Sequence, residues 1–255
     1  AEQRVRRYQV DFHTSEAIPP ALAINHAIAK AFSLDTLRIP GSDYERGLLL
    51  DLPVSFSLTS GFQDEVVRSA KLLAKAFQAD ARHSDHVAFL CGRLFEETRE
   101  LHHLAGHDAL LLNVAAILHE VGSFISPKAH HKHSQYIIQN SEIFGLGRPD
   151  VQVIALVARY HRMSPPKTSH AGYRALGSDD RIRVSKLAAI LRVCDALERT
   201  HSRRVKDISV KETRSRLQLT LHGVADAAVE RLALRGKGEL FHDIFGLEIT
   251  LSEQR

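Results

Sequence analysis

From Phe62 to His201 apolar residues fall at intervals of three and four, the spacing that buries one face of an α-helix. Val67, Ala70, Leu73, Ala74 and Phe77 form a first stripe after Gly61 and Asp64. A second helix starts at Ser84, read as its N-cap, and carries Val87, Leu90, Cys91 and Leu94. Leu111 to Gly122 is a third. Behind a loop holding Pro127 come a short helix, Lys132 to Asn140, then Pro149 to His161 and Asp179 to His201. Gly145, Gly147, Pro165, Pro166, Gly172 and Gly177 punctuate them.

The period changes to two past Arg204. Val205, Ile208 and Val210, then Leu217, Leu219 and Leu221, read as two strands of a hairpin around Glu212 to Ser215. A helix follows from Asp226 to Leu234, with a break at Gly236-Lys237-Gly238, and Leu247 to Leu251 is a last strand. At the other end, Val5 to Phe12 reads as a strand, Ala17 to Phe32 as a helix and Thr36 to Ile39 as extended. The expected fold is therefore mainly α: a helical domain over 52–203, preceded by a partial α/β segment over 1–51 and followed by a small α+β domain over 204–255. The first segment has too few strands to stand alone and must pair with something else.

Composition narrows the class. The chain has 255 residues, 44% of them hydrophobic, enough for a sizeable core. No apolar run approaches the roughly 18 residues of a membrane span, and no signal segment opens the chain, so a cytoplasmic protein is expected. The two cysteines, Cys91 and Cys194, sit on helical stripes and read as core residues. The net charge of +4, with much of the positive charge between Arg148 and Lys211, favours an anionic partner. Without tryptophan or aromatic-basic interleaving, nucleic acid is not the expected one. A start at Ala1 with Met163 as the sole methionine suggests a processed chain or a piece of a longer one.

The chemistry concentrates at Ile117-Leu118-His119-Glu120, where a His and a carboxylate end an apolar helical run. Burying such groups without partners costs about 2 to 7 kcal/mol each, so a ligand or a hydrogen-bond network should offset them. His119 follows Leu112, Ala115 and Ala116 on its stripe; His161 follows Ile154, Val157 and Ala158; Asp195 follows Val184, Ala188 and Leu191. Together with His86 and His133 these residues form a candidate metal set: His86, His119, Glu120, Asp195, His133 and His161. His83, His102, His103 and His107 read as ordinary core histidines, and His13, His26, His170, His222 and His242 carry no motif.

The order His86, His119-Glu120, Asp195 resembles the HD superfamily of metal-dependent phosphohydrolases, a helical bundle that binds one or two metals. Glu120 stands where that superfamily has Asp, a carboxylate displaced by about 1.5 Å against ligand tolerances near 0.2 Å. A closer resemblance accounts for the Glu. Ala115-Ala116-Ile117-Leu118-His119-Glu120-Val121-Gly122, His131-Lys132-His133-Ser134-Gln135-Tyr136-Ile137, Ala158-Arg159-Tyr160-His161-Arg162 and Leu191-Arg192-Val193-Cys194-Asp195-Ala196-Leu197 are similar to the C-terminal half of the exopolyphosphatase / guanosine pentaphosphate phosphohydrolase family. The resemblance runs from about residue 30 onward, with Pro40 to Leu52 similar to the end of the second actin-like domain; Glu45-Arg46-Gly47 departs locally.

The resemblance implies hydrolysis of polyphosphate or guanosine pentaphosphate, attributed in that family to two N-terminal actin-like domains with Gly-rich phosphate loops. Neither GxxxxGK nor GxGxxG occurs here. Three roles follow for this chain. It is the helical portion of such an enzyme, homodimeric, with Arg159, Arg162, Lys167, Arg181, Arg183, Lys186 and Arg192 as contacts to polyphosphate or a phosphorylated nucleotide. Or it is a self-contained phosphohydrolase holding a divalent metal such as Mg or Mn. Or it is a non-catalytic polyanion-binding or dimerisation module.

Overall fold

The computed structural model describes residues 2–8, 12–34, 36 and 60–254. The chain divides into two compact units, Ala1–Gly47 and Leu48–Arg255. In the first, α1 (Glu2–Tyr8) and α2 (Phe12–Ala31) are helices, so of the strand expected over Val5 to Phe12 the described residues, Val5 to Tyr8 and Phe12, are helical instead. Glu2 in the first turn of α1 favours the helix through its dipole. The expected strand at Thr36 to Ile39 and the segment Pro40 to Leu52 lie outside the described residues, apart from Thr36, which has no regular structure.

The second unit is mostly helical. Its helices are α3 (Ser60–Ala76), α4 (Ala81–Glu97), α5 (Arg99–His102), α6 (Gly106–Leu118), α7 (His130–Gln139), α8 (Arg148–Arg159), α9 (Ala171–Arg174) and α10 (Ser178–Leu197), with a 3₁₀ turn at Val121–Phe124. Every residue of α10 from Leu187 to Leu197 is buried, so this helix is wrapped on all sides. It packs on α4, α6 and α8, and α6 is itself buried from Val114 to Leu118. Cys91 and Cys194 are free and buried in this core. The N-cap of α4 is Asp80, not Ser84: its Oδ1 accepts from Arg82 N and His83 N at 3.0 and 3.2 Å. Ser84 lies one turn in, where its hydroxyl donates back to the Asp80 carbonyl.

A three-stranded sheet completes this unit. β1 (Asp207–Glu212) and β2 (Arg216–His222) form an antiparallel hairpin with Asp207 opposite His222 and Glu212 opposite Leu217. β3 (Glu248–Gln254) runs parallel to β2, Arg216 beside Glu248. A parallel neighbour requires a crossover, supplied by α11 (Ala228–Lys237) and α12 (Glu239–Phe245). Both crossover helices pack on α10, and β1 packs on α4. Leu217, Leu219 and Leu221 turn to the core on alternate positions. α11 continues through Gly236 to Lys237, past the break expected there, and this extension carries Lys237 to the end of α10.

One close joint locates the site. α6 ends at Leu118, and the Ser134 hydroxyl on α7 donates to the His119 carbonyl at 2.7 Å while accepting from Gly122 N at 2.9 Å. Gly122 has no room for a side chain: a Cβ there would stand 2.1 Å from the His130 carbonyl oxygen and 2.3 Å from Ser134 N. The stretches His119 to Gly122 and His131 to Ser134 are therefore two halves of one backbone contact.

Candidate functional site

Three helices bring His83, His119 and Asp195 together, all buried, with one donor atom from each within 4.8 Å of the others. His83 enters from the first turn of α4, held by the Asp80 cap. The other Asp80 oxygen lies 3.4 Å from His201 Nδ1, and the His201 ring stacks on His83 with centroids 3.7 Å apart. His119 follows α6 and donates Nδ1–H to the Ala116 carbonyl at 2.7 Å, which leaves Nε2 a bare acceptor facing inward. Asp195, near the end of α10, places Oδ1 3.8 Å from His83 Nε2 and 3.9 Å from His119 Nε2. Its Oδ2 accepts from Lys237 Nζ. Glu120 stands at the rim, 23% exposed, with Oε2 4.0 Å from His83 Nε2.

A second pair adjoins the first. His161, after α8, donates Nδ1–H to the Ala158 carbonyl at 2.6 Å and sets its ring edge-on to His119. Its Nε2 lies 3.2 Å from His130 Nε2. His130 Nδ1 lies 3.1 Å from the Pro127 carbonyl, to which it donates, and 3.3 Å from Arg162 Nη1. The His130 and His161 rings stack with centroids 5.2 Å apart.

Other expected members are elsewhere. His86 faces Glu198 at 3.6 Å, and His133 is half-exposed on α7, so His83 and His130 hold the places expected for them. The signal was present: His83 precedes Val87, Leu90, Cys91 and Leu94 by four, seven, eight and eleven residues, a better match to the buried stripe than His86. Arg192 does not face solvent either. It is 4% exposed and donates to the carbonyls of Tyr160, Met163 and Ser164, pinning the loop behind His161. Arg183 pairs with Asp108 and Asp180, and Lys186 donates to the His102 carbonyl.

Arg159, Arg162, Lys167 and Arg181 remain; Arg181 lies in the first turn of α10, and the other three are joined by Lys132 around His131 and His170. Burial, then Arg162, Arg159 and Lys132, push the His131 ring down to about 4; burial, then Arg159, Lys167 and Lys132, also lower His170. Among the described residues no carboxylate forms an ion pair with Lys132, Arg159, Arg162 or Lys167. Two surface cavities among the described residues, one of about 930 Å³ among α11, α12 and β3 and one of about 620 Å³ among α3, α4 and α6, are lined by no member of the histidine group.

Burial, and then His119, push His83 down to about 4, and burial holds His161 well below its usual value. Burial alone would raise the Asp195 carboxyl, but the Lys237 ammonium beside it outweighs burial and holds it below the carboxylate range. The His83 and His161 rings are therefore neutral and Asp195 is anionic at neutral pH. An unfolded His takes its proton near 6.5, the folded His83 and His131 only near 4, so between those values the unfolded chain binds more protons. Stability is expected to fall by about 4 kcal/mol, about 2 for each ring, between about pH 7.5 and about pH 5. The Asp195 contribution is lost only below its unfolded value of 3.8, outside that window. Guanidinium unfolding at the two pH values measures this, and an unchanged midpoint would mean that the rings titrate as in water.

Over residues 67–236 the sequence matches the family described as Ppx/GppA phosphatase, domain III. The chain belongs to the Ppx/GppA phosphatase family. Similar proteins include the guanosine-5'-triphosphate,3'-diphosphate pyrophosphatase of Pseudoalteromonas translucida, 27% identical over 175 residues, which cover 67% of this chain and 34% of that protein. The protein of the same description from Vibrio atlanticus is 25% identical over 194 residues, 74% of this chain and 38% of its own length. A third, from Vibrio cholerae, is 25% identical over 207 residues, 80% and 40% of the two chains. The chain thus spans between a third and two fifths of these Ppx/GppA relatives.

His83, His119 and Asp195 offer the right donor types for a divalent metal, and Glu120 is a fourth within reach. The charge does not fit. Asp195 is already neutralised by Lys237, so an incoming cation would meet an ammonium on its principal carboxylate. No helix among the described residues is long and apolar enough to cross a membrane.

Proposed function

We propose that this chain is the polyanion-handling helical portion of a Ppx/GppA phosphohydrolase that acts on guanosine pentaphosphate or inorganic polyphosphate, with an HD-type arrangement of His83, His119-Glu120 and Asp195 as its structural centre. One observation carries the reading: Lys132, Arg159, Arg162 and Lys167 act together on His131 and His170, and among the described residues none of the four has a carboxylate partner. Unneutralised cations repel one another and are retained where an anion visits. Arg159 is aimed by Gln135 at 2.5 Å, so its guanidinium group is positioned rather than loose. The names of the relatives, which specify guanosine 5'-triphosphate,3'-diphosphate, support the same substrate class.

Binding of a fluorescent polyphosphate of defined length is expected to weaken with salt, the logarithm of affinity falling with that of salt at a slope of roughly −3 for four cations. Lys132→Glu with Lys167→Glu, both at exposed positions, should lower affinity by about 10-fold or more and flatten the slope. A double variant that binds as tightly as the parent would sink the assignment of this face.

A second reading, a self-contained phosphohydrolase, is favoured by the convergence of three metal-capable donors. It requires that the chain alone release phosphate from guanosine pentaphosphate with added divalent metal, and that His119→Ala abolish the turnover.

A further inference from the structure

The geometry points to Lys237 as a built-in cation: its ammonium holds the charge position that a divalent ion would take beside Asp195, and His83, His119 and Asp195 form a metal site that this lysine keeps shut. The inference does not depend on the polyanion reading above.

Three features lead to it. Both ring nitrogens of His83 and Nε2 of His119 are buried without a hydrogen-bond partner among the described residues, an arrangement rare in protein interiors unless a ligand or a special role accounts for it. The Ala116 carbonyl fixes the His119 proton on Nδ1, the way metal-bound histidines are usually oriented by their outer partners. Asp195 divides its oxygens, Oδ2 to Lys237 and Oδ1 toward the two imidazoles, so the lysine removes the charge without covering the donors. Donors of a tetrahedral ion with bonds of about 2.1 Å lie about 3.4 Å apart, a few tenths of an ångström inside the two distances from Asp195 Oδ1 to the imidazoles.

Electrostatics alone then decides occupancy. With Lys237 in place the group carries no net charge, apart from the Glu120 carboxylate at the rim. Without it, Asp195 and Glu120 together supply two negative charges around two bare imidazole nitrogens, which is what a divalent ion requires. The lysine comes from the crossover between β2 and β3 and not from the bundle that supplies the donors, so charge and donors are separable by mutation.

The test is a Co²⁺ titration followed by the visible absorption of the bound ion, with any affinity tag removed, on four proteins: the parent chain, Lys237→Ala, Lys237→Arg, and Lys237→Ala combined with His119→Ala. Lys237→Ala is expected to bind one equivalent at least about 100-fold more tightly than the parent or Lys237→Arg, because a unit charge next to the ion has been removed. The double variant should lose the absorption, and Zn²⁺ should raise the melting temperature of Lys237→Ala but not that of the parent. Lys237→Met, of similar length and without charge, replaces the alanine variant should that one fail to fold. One equivalent of Co²⁺ bound tightly by the parent chain overturns the proposal, as does a folded uncharged variant that binds none.

Discussion

Gly122→Ala is expected to lower the stability of the helical unit by about 4 kcal/mol, combining overpacking with lost hydrogen bonds. The added Cβ would stand 2.1 Å from the His130 carbonyl oxygen, 2.3 Å from Ser134 N and 2.8 Å from the His133 carbonyl carbon, all of them backbone atoms that no rotamer change can move. Relief requires α7 to back away from the 3₁₀ turn. That separation breaks both Ser134 hydrogen bonds and draws His130 off His161. For a unit of this size the melting temperature should fall by about 10 °C. Circular dichroism measures it, and a shift of no more than about 2 °C would show that the joint is looser than its geometry.

Arg192→Ala should cost about 3 to 5 kcal/mol, in the range reached when a buried, multiply bonded charged side chain is removed. Three carbonyls, those of Tyr160, Met163 and Ser164, lose a charged donor at once, and Met163 already sits at a φ of 60° that L-residues rarely adopt. Arg192→Lys should recover only part of the loss, because one ammonium cannot span the three acceptors as the planar guanidinium does. The loop so released carries Arg162 and Lys167, and polyphosphate affinity should drop with stability. A variant as stable as the parent in guanidinium but weak in binding would return Arg192 to the role of a direct substrate contact.

The helical bundle was legible because its stripes are long and regular: α6, α8 and α10 lie within a few residues of their expected ranges, and His119, His161 and Asp195 fall on the buried faces their offsets indicate. The small sheet was legible from its change of period, since Ile208, Leu217, Leu219 and Leu221 alternate inward. Where one helix offers two candidates the choice depends on a few tens of degrees. Asp80 starts α4 four residues ahead of Ser84, and His83 rather than His86 thereby reaches the cluster. On α7, His130 reaches His161 from the first turn, where a left-handed Ala129 sets the entry of the helix, and nothing in residue type foretells that turn. Arg192 looked like one more cation in a basic region; only the carbonyls of a distant loop give it a different task. Lys237 was hidden between two glycines, residues that usually end a helix, whereas here packing on α10 carries the helix through Gly236.

The parallel pairing of β2 with β3 also sets the order in which a buried carboxylate meets its counter-charge. Asp195 belongs to the bundle and Lys237 to the crossover, 42 residues later, so the two can join only once α11 has docked on α10. A bundle assembled ahead of the sheet would hold an anion in the most enclosed helix of the molecule with nothing to balance it. Such a half-built state is penalised, and the penalty binds the two parts into one cooperative transition: the α+β segment closes the account of the helices, and neither is expected to melt alone.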